Sequence, residues 1–363
     1  MVGQGIERLR DEGVVSSDPK QLFWVAGAAP IIHRIFSGKK FAGNFVSSQS
    51  CLRMNRFEQV GTGNHHIFFE MLGHFSISKF RAQAAREWTI ATALDYLVNV
   101  AYINPASIRI SCHPDDQGTI RTWNDFGYNM GVITIVSDKH TATFYPGLFG
   151  YRTKIGIQNK SGLLSFWDLV FIDKTIDGVE TPMTFVDSGM SLDRLHMASS
   201  GYEDSYATSN WKALCAECTL QLPAGTEKSV TRRLADVGRA ASVLIMSGIK
   251  SGSKGREYVL RKLIREICSI LYLAGNNSSI VGLTNLLYED TCLRFERNLQ
   301  VIEYKDVVES FRSESETFSK SLSRAMRQRD KFLALHGTLS DEDVRVLTES
   351  FGLPKKLIGK SDE

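Results

Sequence analysis

The sequence predicts an α+β protein: an antiparallel sheet with flanking helices, followed by an all-helical domain. Three observations carry this reading. Short apolar runs rich in Val, Ile, Phe and Thr fill the first half of the chain. Tight turns such as Gly61–Asn64 and Asp177–Gly178 separate them, which favours antiparallel pairing because parallel strands need a long crossover. After about residue 195 helical periodicity takes over, and no comparable strand follows. At 363 residues, 43% hydrophobic and 23% charged, the chain can fill two sizeable cores. That composition excludes wholesale disorder, collagen repeats and a coiled-coil rod.

In order, strands are predicted over 44–54, 65–72, 107–112, 131–137, 152–158, 166–173 and 183–189. One helix interrupts them over 79–98, where Phe80, Ala84, Trp88, Ala91, Leu94 and Leu97 are spaced for an apolar face. His113-Pro114-Asp115-Asp116 reads as a turn running into a helix N-terminus. Helices then follow over 231–248, with Leu234, Val237, Ala241, Leu244 and Ile245 in phase, and over 257–274, 284–300 and the charged stretch 304–335. Pro, Gly and polar residues between 220 and 230 mark the break, dividing the chain into 1–222 and 223–363.

The net charge is only +3, but it is unevenly spread. From Lys228 to Glu266 ten Lys and Arg face three acids, which reads either as a solvated helical surface or as the footprint of a polyanion. No run reaches the ~18 uncharged apolar residues of a membrane span. The charged first residues lack the apolar core of a signal peptide, and six scattered cysteines do not make a disulfide framework, so a cytoplasmic protein is expected.

Common motifs are missing: there is no phosphate loop, no G-x-G-x-x-G, no H-E-x-x-H and no G-x-S-x-G. Cys215 and Cys218 have metal-like spacing without a second pair, so no structural zinc is expected. His65 and His66, read as neighbours on a strand, would point to opposite faces and not to one ion. What remains is a set of arginines and acids on strands. Arg53 ends one strand, and the strand returning through His65 to Met71 could set an aromatic ring beside it, the arginine suiting phosphate and the ring a planar base. Asp187 ends another strand and is followed by Gly189 and Arg194. By residue type alone, each of these reads more readily as a surface ion pair than as a site residue.

Longer segments narrow the choice. Asp18-Pro19-Lys20-Gln21-Leu22-Phe23 with Ala26-Gly27, Ser48-Gln49-Ser50-Cys51-Leu52-Arg53, and the run from His65-His66-Ile67-Phe68-Phe69-Glu70-Met71 to Ser76 occur in that order. Phe166-Trp167-Asp168-Leu169-Val170-Phe171 and Val186-Asp187-Ser188-Gly189-Met190-Ser191-Leu192-Asp193-Arg194 follow. This order and wording resemble the alanyl-tRNA synthetases, class II enzymes whose active site is built on a seven-stranded antiparallel sheet. The likeness continues through Arg232–Ala240, Gly255–Arg265 and Leu339–Leu357, which resemble that family's helical tRNA-recognition domain. No segment resembles its editing or C-terminal domain.

The resemblance implies an ATP-dependent, AMP-forming ligase. Arg53 and Arg194 would be catalytic. Arg53 would hold the α-phosphate of ATP, and Arg194 the γ-phosphate or the adenine opposite Phe69. His65, Met71 and Gly189 would complete the ATP site, and Mg²⁺ would bridge the phosphates with Glu70 as its candidate ligand. Asp187 would receive the α-ammonium of the amino acid, and Tyr145, Asp168, Val170 and Gly189 would line the side-chain pocket. Arg232, Arg239, Ser253, Arg256, Arg261 and Arg265 would face tRNA. Four departures stand out: Ser191 replaces a glycine, Asp168 an asparagine and Tyr145 a tryptophan, while Ser251-Gly252-Ser253 replaces a P-x-N. The extra charge of Asp168 suggests a substrate more polar than alanine, or one more bond to the ammonium.

The expected function is therefore activation of a small amino acid, alanine or a close relative, as its adenylate, followed by transfer to the tRNA 3′ end. One alternative is a tRNA-independent ligase serving a small-molecule or carrier acceptor. A small apolar pocket discriminates weakly between near neighbours, and alanine charging normally needs proofreading, which favours this alternative. Another is a non-catalytic binding paralogue.

Overall fold

The computed structural model describes residues 5–18, 20–28, 31, 42–78, 82–129, 132–135, 141–143, 147–160, 162–275, 280–295 and 302–359. The chain divides into two compact units, one of residues 1–55 with 68–211 and one of residues 56–67 with 212–363. The sequence put the break at 222/223; the contacts put it at 211/212 and group the segment 56–67 with the helices.

The first unit is a mixed sheet. Its strands are β1 (Ile6–Arg8), β2 (Gly43–Leu52), β3 (Phe68–Ser78), β4 (Ile108–Cys112), β5 (Ile133–Ile135), β6 (Thr141–Thr143), β7 (Leu148–Asn159), β8 (Gly162–Thr175) and β9 (Glu180–Ser191). They run in the order β1-β2-β3-β9-β8-β7-β4-β5, with β6 also on β7. The central ladder from β2 to β4 is antiparallel, as expected. Its two margins are not: β1 lies parallel to β2, and β5 parallel to β4. β1 and β6 are three-residue strands, too short for an alternating pattern to show in the sequence.

One face of the sheet carries Phe45, Phe75, Val170, Ile172 and Phe185 in a common cluster. The other is covered by α1 (Ala82–Asp95) and its continuation, one π-helical turn at Tyr96–Val100, over Ile110, Ile155, Trp167, Leu169, Phe171 and Val186. Each of these large apolar side chains contributes on the order of 1.5–3 kcal/mol by leaving water. The buried stripe of α1 is Ala85, Arg86, Thr89, Ile90 and Ala93. The sequence put Ala84 on the apolar face, but Ala84 is exposed. The reason is Arg86, which turns inward to bond Asp173 at 2.7 Å, Asp116 at 3.2 Å and Thr119 at 3.0 Å. Asp116 also caps α2 (Gln117–Asp125), accepting from Thr119 N, as the turn into a helix N-terminus predicted.

The second unit contains α4 (Lys212–Leu220), α5 (Lys228–Met246), α6 (Gly255–Leu273), α7 (Val281–Phe295), α8 (Tyr304–His336), α9 (Asp341–Glu349) and α10 (Lys355–Ile358); the intervening α3 (Leu192–Ser200) belongs to the sheet unit. Leu234, Val237, Ala241, Leu244 and Ile245 are all buried in α5, as their spacing predicted. Arg239, on the same helix, is 1% exposed and forks onto Asp290 of α7 at 2.8 and 3.0 Å. That inward position corrects its expected place on a tRNA-facing surface.

The segment 56–67 is held against α5 by named bonds. Asp236 accepts from Ile67 N at 2.9 Å and pairs with His66 Nδ1 at 2.6 Å. Arg233 donates to the Phe57 carbonyl at 2.9 Å and stacks on its ring at 4.6 Å. Gly61, at φ +91°, passes so close to α5 that a Cβ would stand 2.4 Å from the Ser229 carbonyl oxygen. Only glycine meets both conditions. His65 and His66 therefore precede β3 and do not alternate along it.

Candidate active site

Strand register assembles the site. Across β3, β9, β8 and β7, Phe75 pairs with Asp187, Asp187 with Val170, and Val170 with Arg152. One step along, Gly73 pairs with Gly189, Gly189 with Asp168, and Asp168 with Lys154. Directly opposed residues share a face, so Asp187, Asp168, Arg152 and Lys154 project on the same side as Phe69 and Met71. The Met71 side chain lies close over Gly189: a Cβ there would stand 3.0 Å from Met71 Sδ, the atom that also receives Gly27 N–H at 3.0 Å.

Arg53 follows β2 directly. Its Nε donates to the Val25 carbonyl at 2.9 Å, Nη2 bonds the same oxygen, and the guanidinium lies over the Phe69 ring at 5.0 Å. Arg194 sits in the first turn of α3, with Nη1 on the Ser165 carbonyl at 3.0 Å. Ser191, the residue that departs from the family glycine, is the N-cap of this helix, accepting from Arg194 N. A serine at that position has a structural role of its own. Asp193 anchors the same turn through Asn210 at 2.6 Å and Trp211 Nε1 at 2.9 Å.

Electrostatics join these groups. Burial raises the Asp168 carboxyl, against the pull of Arg152, Lys154, Arg194 and Arg53. Arg152 is in ion-pair contact with this carboxylate, its Nη1 3.6 Å from Asp168 Oδ2. Asp187 is 8% exposed, and burial lifts it to about 7; Arg152 draws it down and Asp168 pushes it up. Such a carboxyl is poised to gain a cationic partner. Arg152 lies at the centre of the cluster, yet the sequence singled it out only as part of a strand. Nothing in its local sequence distinguishes it from the neighbouring Lys154; only the strand register brings it to Asp168 and Asp187.

Val170 sits between Asp187 and Arg152 in this register, on the same face, where it is 4% exposed and packs in the apolar cluster around Phe75. Tyr145 lies outside the described residues. His65 belongs to the helical unit, where its Nε2 lies 2.8 Å from Arg56 Nη1. Glu70 is a correction. Alternation puts it on the face of Leu72 and His74, and its carboxylate accepts from Ser48 at 3.3 Å. On that face it does not fit a magnesium ion serving the same phosphates as Arg53.

The helical unit has its own groove of about 1180 Å³. Arg233, Arg261, Lys262, Arg265, Lys355 and Lys356 line it together with Ser253, against Glu58, Glu266 and Glu349. Arg265 and Arg261 stand 2.7 and 3.6 Å from Glu314, and Glu266 binds Arg233 and Lys356 at 2.6 and 2.9 Å. Arg232 and Arg256 are half-buried. Among the described residues no helix is long and apolar enough to cross a membrane.

Comparison with known proteins supplies the lineage. Alanine--tRNA ligases of Ehrlichia ruminantium (strain Welgevonden) and Ehrlichia chaffeensis are 27% and 29% identical over 94% of this chain and 42% of their own length. That of Thermotoga petrophila is 27% identical over 98% of this chain and 44% of its own. The chain thus spans less than half the length of the curated relatives it matches. Among solved structures, the apo histidyl-tRNA synthetase of S. aureus covers 55% of this chain and 62% of its own at 10% identity, with a TM-score of 0.37. The sequence model of the class II (A) tRNA synthetases matches residues 3–361, and the chain belongs to that family.

Proposed function

We propose that this chain activates a small amino acid, alanine or a close relative, with ATP and passes it to tRNA. The observation that carries the reading is the strand register that sets Asp187, Asp168, Arg152 and Lys154 on one face of the sheet with Phe69, over whose ring Arg53 lies. An amino-acid carboxylate oxygen attacks the α-phosphorus of ATP, the new P–O bond forms, and pyrophosphate leaves with the electrons of the broken one. Chemistry of this kind depends on positioning and on neutralising charge as it builds on the phosphate oxygens. Arg53, held by the Val25 carbonyl and stacked on Phe69, is the fixed fork for the α-phosphate. Arg194, at the start of α3, serves the distal phosphates or the adenine. Asp187 takes the ammonium, and Asp168 with Gly189 borders the side chain.

The basic groove of the helical unit supports a tRNA acceptor, since phosphate neutralisation supplies much of nucleic-acid affinity. The test is a panel of amino acids in pyrophosphate exchange, followed by charging of total tRNA with labelled amino acid, with and without ribonuclease. Exchange with alanine or a near neighbour, and label that ribonuclease releases, are the expected results. Absence of exchange with every amino acid overturns the reading; label that stays on a small molecule moves the acceptor to the tRNA-independent alternative.

A further inference from the structure

The sheet has a second cavity, on the face opposite Asp187. It measures about 280 Å³ and is walled by Val46, Leu72, Val100, Trp167 and Met190, with Tyr96 of the π-helical turn at one side. Turns of this kind are rare and concentrate at functional sites. His74 stands in the wall, 3% exposed, tilted against Trp88 at 5.0 Å. Neither of its ring nitrogens has a hydrogen-bond partner among the described residues. Buried polar groups in folded proteins are nearly always paired, and leaving one unpaired is costly.

Both serine hydroxyls of the wall are engaged. Ser188 Oγ accepts from Trp167 Nε1 at 3.2 Å, and Ser47 Oγ donates to the Gly27 carbonyl at 3.0 Å. Asp95 is exposed at the rim, where it accepts from Asn99 at 2.8 Å. Burial lowers His74 to about 4, so at neutral pH the ring is uncharged and offers one donor and one acceptor. A charged ligand would find no counter-charge inside. The chemistry that fits is an apolar ring with one group able to meet an imidazole.

We propose that this cavity binds a small, uncharged, hydroxylated aromatic molecule, its ring against the apolar wall and its hydroxyl on His74. Ser188 of the wall lies between Asp187 and Gly189 in the chain, so the pocket is one backbone layer from the candidate active site.

The probe is 4-fluorophenol, titrated into the full chain and followed by fluorine NMR line broadening, with fluorobenzene as the companion lacking the hydroxyl. Saturable binding of the phenol at or below about 1 mM is expected. His74→Phe should weaken the phenol about 3–10-fold, the worth of one net hydrogen bond, and leave fluorobenzene unchanged. Val100→Trp, at a mouth position 56% exposed and therefore tolerant of bulk, should abolish binding of both. No saturable binding to the native chain, or binding that Val100→Trp leaves intact, overturns the proposal. Loss on Val100→Trp without any effect of His74→Phe overturns the role of His74. Amino-acid activation enters none of these readouts, so they stand or fall apart from the proposed reaction.

Discussion

Replacing Asp187 with asparagine should make the protein more stable and far less active. The carboxyl is buried beside Asp168, and its pKa is lifted from near 4 to about 7. The folded state therefore holds this proton over a range where the unfolded chain has released it, so stability falls as pH rises from about 4 to about 7 and stays low above. The penalty at pH 8 is at most about 4 kcal/mol, taking 1.36 kcal/mol per pKa unit. Asparagine keeps the shape without the charge, so Asp187→Asn should raise denaturant stability by up to that amount at pH 8 and by little at pH 4. The same change leaves the substrate ammonium without its counter-charge. Losing one partner of a buried pair costs about 3–5 kcal/mol, or roughly two to three and a half orders of magnitude in the amino-acid KM for pyrophosphate exchange. In the native chain that KM should also rise about tenfold per unit as pH drops below 7, because only the carboxylate receives the ammonium, and this limb should vanish in the variant. A variant with near-native KM and an unchanged acid limb would refute the reasoning, whatever happened to its stability.

Asp168→Asn removes the neighbour that pushes Asp187 upward, so the acid limb should move to lower pH; a limb that stays in place would count against their coupling. Arg261→Ala with Lys262→Ala should lower the slope of log affinity against log salt for tRNA by about 1–2, with pyrophosphate exchange kept. Asp236→Ala strips His66 and the Ile67 N–H of their partner and should cost about 3–5 kcal/mol in equilibrium unfolding of the helical unit. A loss below about 1 kcal/mol would mean that the segment 56–67 is held by its other contacts.

The antiparallel core of the sheet and the helices after it were legible because their apolar spacing is set by the very faces they bury. Leu234, Val237, Leu244 and Ile245 illustrate this on α5, where helical period and burial coincide. Pairings between distant residues were not legible. Arg86 turns α1 toward Asp116 and Asp173, and no period in the helix announces partners 30 and 87 residues away. His65 and His66 look like the start of a strand until Asp236, 170 residues from His66, draws the segment onto α5. The site divides along the same line. Arg53, Asp168, Asp187 and Gly189 were nominated through contiguous wording, whereas Arg152 comes beside Asp168 only through strand register. Glu70 was misplaced by one step of the strand alternation, which wording alone does not resolve.

Because the segment 56–67 is a splinter of the helical unit carried inside the sequence of the sheet unit, no single scission yields two intact pieces. A fragment starting at residue 212 would keep Asp236 and Arg233 but lose the imidazole, amide and carbonyl that answer them. Its complement would carry Phe57, Val60 and Ile67 stripped of the helix that shelters them. The helical piece should recover its native character only when a peptide spanning 56–67 is returned in trans.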